Sequence, residues 1–151
     1  MRFKDTDLIE IYNKVNNFGR VNGMKFIQLK KGIVEYHVTI KQEHLATTKA
    51  AHGGFVAGFM DAVLGVAALS SVALDGKLVA TVEFKINYLK PVFLNDELKG
   101  IGNVINKGNR LITSEGKIYN QKNELIAIGN GTFNAYPFEK SDVYKYLNKN
   151  K

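Results

Sequence analysis

From His52 to Leu74 the chain reads HGGFVAGFMDAVLGVAALSSVAL, a long apolar run in which Asp61 is the one acid and no lysine or arginine appears. Apolar residues fall on every side of a 3.6-residue period, so a helix over this run has no face suited to water and must be enclosed. A carboxylate in such a helix is costly to desolvate, and a chain that keeps one needs a reason for it. Asp61 is therefore the first candidate for a catalytic group.

A transmembrane span is the competing reading, because more than about eighteen mainly apolar residues are enough to cross a bilayer and Gly54 and Gly58 have a small-xxx-small spacing. Three features oppose it. Asp61 inside hydrocarbon would cost about 2.5–3.5 kcal/mol on insertion scales. Much of the run is Gly, Ala and Ser rather than Leu, Ile and Val. The half-apolar strands around it also need a partner for their apolar face, and no other long helix is available. The expectation is a buried core helix and no membrane.

Ahead of the run, residues from about Asp5 to Phe18 place Leu8, Ile9, Ile11, Tyr12 and Val15 at helical spacing, with Asp5 or Thr6 as cap and Gly19 as stop. Met24–Leu29 and Ile33–Ile40 have strand composition and are joined by a tight hairpin at LKKGI. After the long run, Asp75 and Gly76 make a turn. In LVATVEFKINYL, Ala80, Val82, Phe84, Ile86 and Tyr88 then share one face, and Thr81, Glu83, Lys85 and Asn87 the other. Pro91 ends that strand or marks a bulge. Further strands are predicted at about Glu97–Ile105, Arg110–Asn120 and Glu124–Ala135, the first two joined around Gly108.

This order predicts an α+β fold: a curved, mostly antiparallel six-stranded sheet wrapped around one long central helix, preceded by a short N-terminal helix. At 151 residues the chain is expected to be one domain, with a solvated C-terminal tail from about residue 138 that includes KYLNKNK. The absence of cysteine excludes disulfides, thiolate metal sites and cysteine nucleophiles, and suits an intracellular protein. With a charged, amphipathic N-terminus in place of a secretory signal, the expected location is cytoplasmic. His37, His44 and His52 lack metal-ligand spacing, so no metal is expected. Ser70 and Ser71 lack a nucleophile-elbow context and are read as helix packing.

The net charge of +7 favours anionic partners. No recognition helix or stacking-aromatic motif points to nucleic acid, which is not expected as a partner.

HGG, an acid nine positions after the histidine, and a strand reading TVEFKINYLKP together resemble the hotdog-fold acyl-CoA thioesterases, particularly the phenylacetate-degradation type, over roughly His44 to Tyr136. The resemblance implies hydrolysis of an acyl-CoA thioester to free acid and coenzyme A. Coenzyme A then enters as part of the substrate, and no separate cofactor is expected. The pattern also makes chemical sense. Glycines at a helix start let a carbonyl approach backbone N–H groups, and the helix dipole favours charge developing on its oxygen. Gly53 N–H is the expected oxyanion donor, with Gly54 beside it. Asp61 is expected as general base or as nucleophile.

Thr81 matches the position where related thioesterases carry Ser or Thr near the acid, and it can orient water or simply be a strand threonine. His52 is expected to position the thioester or fix the helix start. Lys90, Lys107 and Arg110 are candidates for the coenzyme's phosphates, and Phe55, Phe59 and Met60 for the acyl pocket. One departure stands out: many members of the family carry Asn six residues before the motif histidine, and this chain has Ala46, with Thr47 or Thr48 as substitutes. The alternative function is accordingly a non-catalytic acyl-CoA-binding or regulatory protein.

Gly53 and Asp61 are eight residues apart, about 12 Å along a helix, too far to serve one small carbonyl. If both act, they come from different subunits of a homodimer. The resemblance implies the same, with dimers that often assemble into homotetramers.

Overall fold

The computed structural model describes residues 5–149. The first four residues and the last two of the KYLNKNK stretch lie outside the described residues.

Two short helices come first, α1 (Asp5–Val15) and α2 (Asn17–Val21). The single N-terminal helix expected through Phe18 is thus two, and Gly19 lies inside the second. Asn16 makes the break: its side chain accepts the Gly19 N–H at 3.0 Å and so caps α2. Next come β1 (Lys25–Lys30) and β2 (Ile33–Thr39), joined by a hairpin in which Gly32 has a φ of +79°. The central helix α3 (Gly53–Val72) follows, then β3 (Lys77–Tyr88), β4 (Glu97–Lys107), β5 (Leu111–Tyr119) and β6 (Leu125–Pro137), and finally a short helix α4 (Asp142–Lys149).

The strands form one six-stranded antiparallel sheet in the order β1-β2-β4-β5-β6-β3. It wraps α3, which touches every strand from β2 to β6. Val63, Leu64, Ala67, Ala68, Met60 and Phe59 of α3 are fully buried, which accounts for the uniform apolarity of the run. The helix is long and apolar enough to cross a membrane, yet here its surroundings are sheet. Glycines on the facing strands allow the close approach: a Cβ on Gly102 would lie 2.5 Å from the Val63 carbonyl oxygen. Ser70 and Ser71 are buried helix-packing residues as expected, and Ser70 Oγ also accepts the Gly32 N–H at 2.9 Å, tying the first hairpin to α3.

Two further expectations need correction. The stretch from residue 138, expected as a solvated tail, is partly docked. Phe138 and Ser141 are buried, and Phe138 packs in a second core with Leu8, Ile9, Leu69, Ala73 and Leu78. α4 itself buries no residue.

The second correction concerns β3. Its pairing with β6 shifts between Thr81 and Glu83, leaving Val82 as the extra residue of a bulge. A bulge inverts the inward and outward parity of everything before it. Beyond the bulge, Phe84, Ile86 and Tyr88 share a face as predicted, lying opposite Gly131, Gly129 and the buried Ala127. Before it, half-buried Val79 and the exposed Thr81 lie opposite Ala135 and the buried Phe133 and turn toward α3, while the exposed Ala80 and Val82 turn away.

Candidate active site

The bulge brings Thr81 to Asp61. The Thr81 hydroxyl donates to Asp61 Oδ1 at 2.9 Å, so the threonine of the expected outer face is a site residue on the inner one. Asp61 is half-buried on α3, and burial pushes its carboxyl above the usual carboxylate range while the Thr81 hydrogen bond opposes that shift.

Asp61 and Thr81 line a cavity of about 530 Å³ between α1, α3 and β3. Its other walls are mainly apolar, including Val15, Phe18, Leu69, Leu78 and Phe133. Of the aromatic and sulfur side chains expected to shape an acyl pocket, Phe59 and Met60 are instead fully buried core, since they point into the sheet. Phe55 stacks on His44 with ring centroids 3.8 Å apart.

Tyr12 and Asn16 of the N-terminal helices also line this cavity. Burial pushes the Tyr12 hydroxyl up to about 12, with the nearby Asp61 charge as the second cause. Nothing in the sequence reading placed these residues at the site. In sequence Tyr12 is one of the apolar positions of an amphipathic helix, and only docking of α1 against α3 reveals where its hydroxyl lies.

The first turn of α3 is built differently. His52 caps it: its Nδ1 accepts the Gly54 N–H at 2.8 Å, which fixes the helix start and occupies Gly54. The Gly53 carbonyl accepts from the Tyr88 hydroxyl at 2.7 Å. The Gly53 N–H donates to no acceptor among the described residues, as is usual for a first-turn amide, and it is exposed. Gly53 lines a second, smaller cavity with Val56, Tyr88, Leu89, Lys90 and Pro91. Asp61 does not line that cavity, so within one chain the two catalytic candidates face different spaces.

The basic candidates are dispersed. Lys90 stands beside the Gly53 cavity, paired with Glu124 at 2.8 Å. Lys107 pairs with Asp75 at 2.7 Å, beyond the other end of α3. Arg110 Nε donates to Asn134 Oδ1 at 3.1 Å, and Asn134 lies opposite Ala80. Ala46, Thr47 and Thr48 lie in an exposed loop, where Thr47 Oγ1 accepts the Ala50 N–H at 3.0 Å and is thereby held locally. His44 is buried, with Nδ1 accepting the Lys41 N–H and Nε2 2.9 Å from Asn22 Oδ1. Among the described residues, no three His, Cys, Asp or Glu side chains converge as a metal site would require.

Comparison with known proteins bears on the family and the fold. Residues 48–127 match the Thioesterase superfamily. A protein of Saccharolobus solfataricus provisionally named esterase SSO2140 is 30% identical over 106 residues, covering 70% of this chain and 74% of the relative. Among solved structures, the PaaI protein from the phenylacetic acid degradation operon of E. coli superposes with a TM-score of 0.77 at 18% identity, covering 87% of this chain and 93% of that one. The conserved protein PA5202 of Pseudomonas aeruginosa gives 0.73 at 28% identity, covering 80% and 94%. The smu.793 protein of Streptococcus mutans, solved with acetyl CoA bound, gives 0.69 at 24% identity, covering 76% and 89%. The helix-in-sheet fold, the acid on the central helix and the matched sequence lead to one assignment: the chain belongs to the thioesterase superfamily, as a hotdog-fold thioester hydrolase.

Proposed function

We propose that this protein hydrolyses acyl-CoA thioesters, with Asp61 activating water and the Gly53 N–H stabilising the oxyanion. The observation that carries the reading is Asp61, held by Thr81 at the edge of a largely apolar cavity that suits an apolar acyl group. Burial raises the basicity of Asp61, which suits a general base. In that route water loses a proton to Asp61 as its oxygen bonds the acyl carbon. The tetrahedral oxyanion then collapses, the C–S bond breaks, and the proton passes to the departing coenzyme A thiolate. Labelled oxygen recovered in Asp61 after single-turnover hydrolysis in oxygen-18 water would instead establish the anhydride route.

The reaction needs two copies of the chain. β3 is an outer strand of the sheet, twelve residues long, and its exposed apolar residues include Val82 (58%) and Tyr88 (52%). A long unpaired edge of this kind is a template for another strand. If β3 pairs with itself about a two-fold at Lys85, with Val82 and Glu83 of the bulge counting as one position, Thr81 of one copy lies opposite Tyr88 of the other. Asp61, bonded to Thr81, then approaches Gly53, which Tyr88 holds. The same pairing sets Val79 opposite Lys90 of the second copy, and so brings the Arg110 end of one chain toward Lys90 of the other, where a phosphate-bearing coenzyme would find both cations.

The decisive experiment is a thiol-release screen over short, medium, long and aryl acyl-CoA esters, with Asp61→Asn alongside. Turnover that Asp61→Asn abolishes, with fold and dimer intact, supports the proposal. Undiminished turnover in that variant removes Asp61 as the base. A ligand that raises the melting temperature without thiol release across the panel would favour a binding protein.

A further inference from the structure

The Asp61 cavity contains a polar group with no assigned task. Tyr12, half-buried on α1, lines the cavity beside Asp61 and Thr81. Its hydroxyl has no hydrogen-bond partner among the described residues, unlike the buried Tyr36 hydroxyl behind it, which bonds the Asn16 side chain. A half-buried hydroxyl that faces a cavity without a protein partner is free to bind a water or ligand there. Asp61 has a matching vacancy in its bonding: Thr81 takes Oδ1, and no described donor reaches Oδ2. The cavity is otherwise poor in polar groups, its titratable lining residues among those described being Tyr12, Asp61 and Tyr136.

We propose that Tyr12 is a further catalytic residue, whose hydroxyl oxygen and Asp61 Oδ2 hold the attacking water between them. The inference rests on the hydrolase reading above. The water donates one hydrogen to Asp61, which receives it as a proton during attack. It donates the other to the Tyr12 oxygen, which keeps it oriented, and a water lone pair is left facing the acyl carbon. Tyr12 neither gains nor loses a proton. Its high pKa keeps it neutral across the working range, as an orienting acceptor should be. α1 would thus belong to the catalytic apparatus as well as to the cavity wall.

The test is Tyr12→Phe, which preserves the ring and removes the oxygen, assayed with Asp61→Asn and wild type on the best acyl-CoA from the screen. Melting temperature and oligomeric state serve as controls for folding. Loss of one orienting hydrogen bond predicts a kcat about tenfold lower, with KM and the affinity for a non-hydrolysable thioether analogue within about twofold. Hydroxylamine, a stronger nucleophile, should recover part of the lost acyl transfer. If Tyr12 is only an apolar wall, phenylalanine serves equally well: a kcat within twofold of wild type, with Asp61→Asn inactive, overturns this inference and leaves the hydrolase reading standing. A fall confined to KM assigns Tyr12 to acyl binding and also overturns it. Full activity in Asp61→Asn, or no turnover by wild type, overturns both.

Discussion

Along α3, the turn at Gly53 and the turn at Asp61 would serve the same reaction in unlike surroundings. At Gly53 the acting group is a main-chain N–H, aimed by the start of the helix and held from behind by His52 and Tyr88. At Asp61 it is a side chain whose basicity burial raises and whose position and residual tuning depend on β3, through Thr81. A helix start presents free amides whatever its side chains, so the first device is tolerant of sequence. The second depends on burial, on one hydroxyl and on a bulge in the strand that follows the helix. The Gly53 end should respond to changes in the backbone, and the Asp61 end to changes in side chains and pH.

The largest expected effect is at the acid. Asp61→Asn should lower kcat by about a thousandfold, within the range for general-base removal. It should also raise the melting temperature. The Asp61 pKa is raised in the folded state, so the ionised carboxylate is less favourable there than in the unfolded chain, and wild type gains stability as pH falls through the folded value. Thermal melts of both proteins should show a gap at neutral pH that narrows on acidification. A variant less stable than wild type at neutral pH would contradict the role given to burial.

Gly53→Pro tests the other end, with an expected kcat loss of about a hundredfold. Proline is accepted at the first position of a helix, and His52 already has the extended backbone (φ −67°, ψ 133°) that a residue before proline needs. The variant should therefore fold and lose the N–H, with the ring Cδ in its place. Gly53→Ala is the control, because its Cβ would meet Tyr88 no closer than 3.6 Å. Equal activity in the proline and alanine variants would remove the main-chain donor from the proposal.

Thr81→Val should reduce kcat by about tenfold, the effect of one hydrogen bond, and alter the pH profile. The Thr81 bond lowers the Asp61 pKa, so its loss should move the acid limb of kcat/KM to higher pH. An unmoved limb would show that Thr81 does not tune the acid. The smallest effect belongs to His52→Ala, which removes a helix cap. About 1 kcal/mol of stability should be lost, roughly 3 °C in melting temperature, with Gly54 N–H left unbonded. A change in the pH profile of that variant would instead give His52 a part in proton transfer.

The sequence alone determined the frame. An all-round apolar run can only be a core helix or a membrane span, and six stretches of strand composition around it require a sheet that encloses it. HGG at the start of that run and Asp61 within it marked both catalytic candidates, because a bare helix start and a lone buried acid are local properties. The tertiary structure decided the surroundings. Alternation along LVATVEFKINYL set Thr81 on the outer face, and only pairing with β6 reveals the extra residue, Val82, that turns it inward. Tyr12 looked like one more apolar position of α1 until α1 docked beside Asp61. Phe59 and Met60, beside the acid in sequence, point into the sheet instead. Neighbours in a chain share a helix but not a face, and what surrounds an acid is settled by elements that meet only when the chain folds.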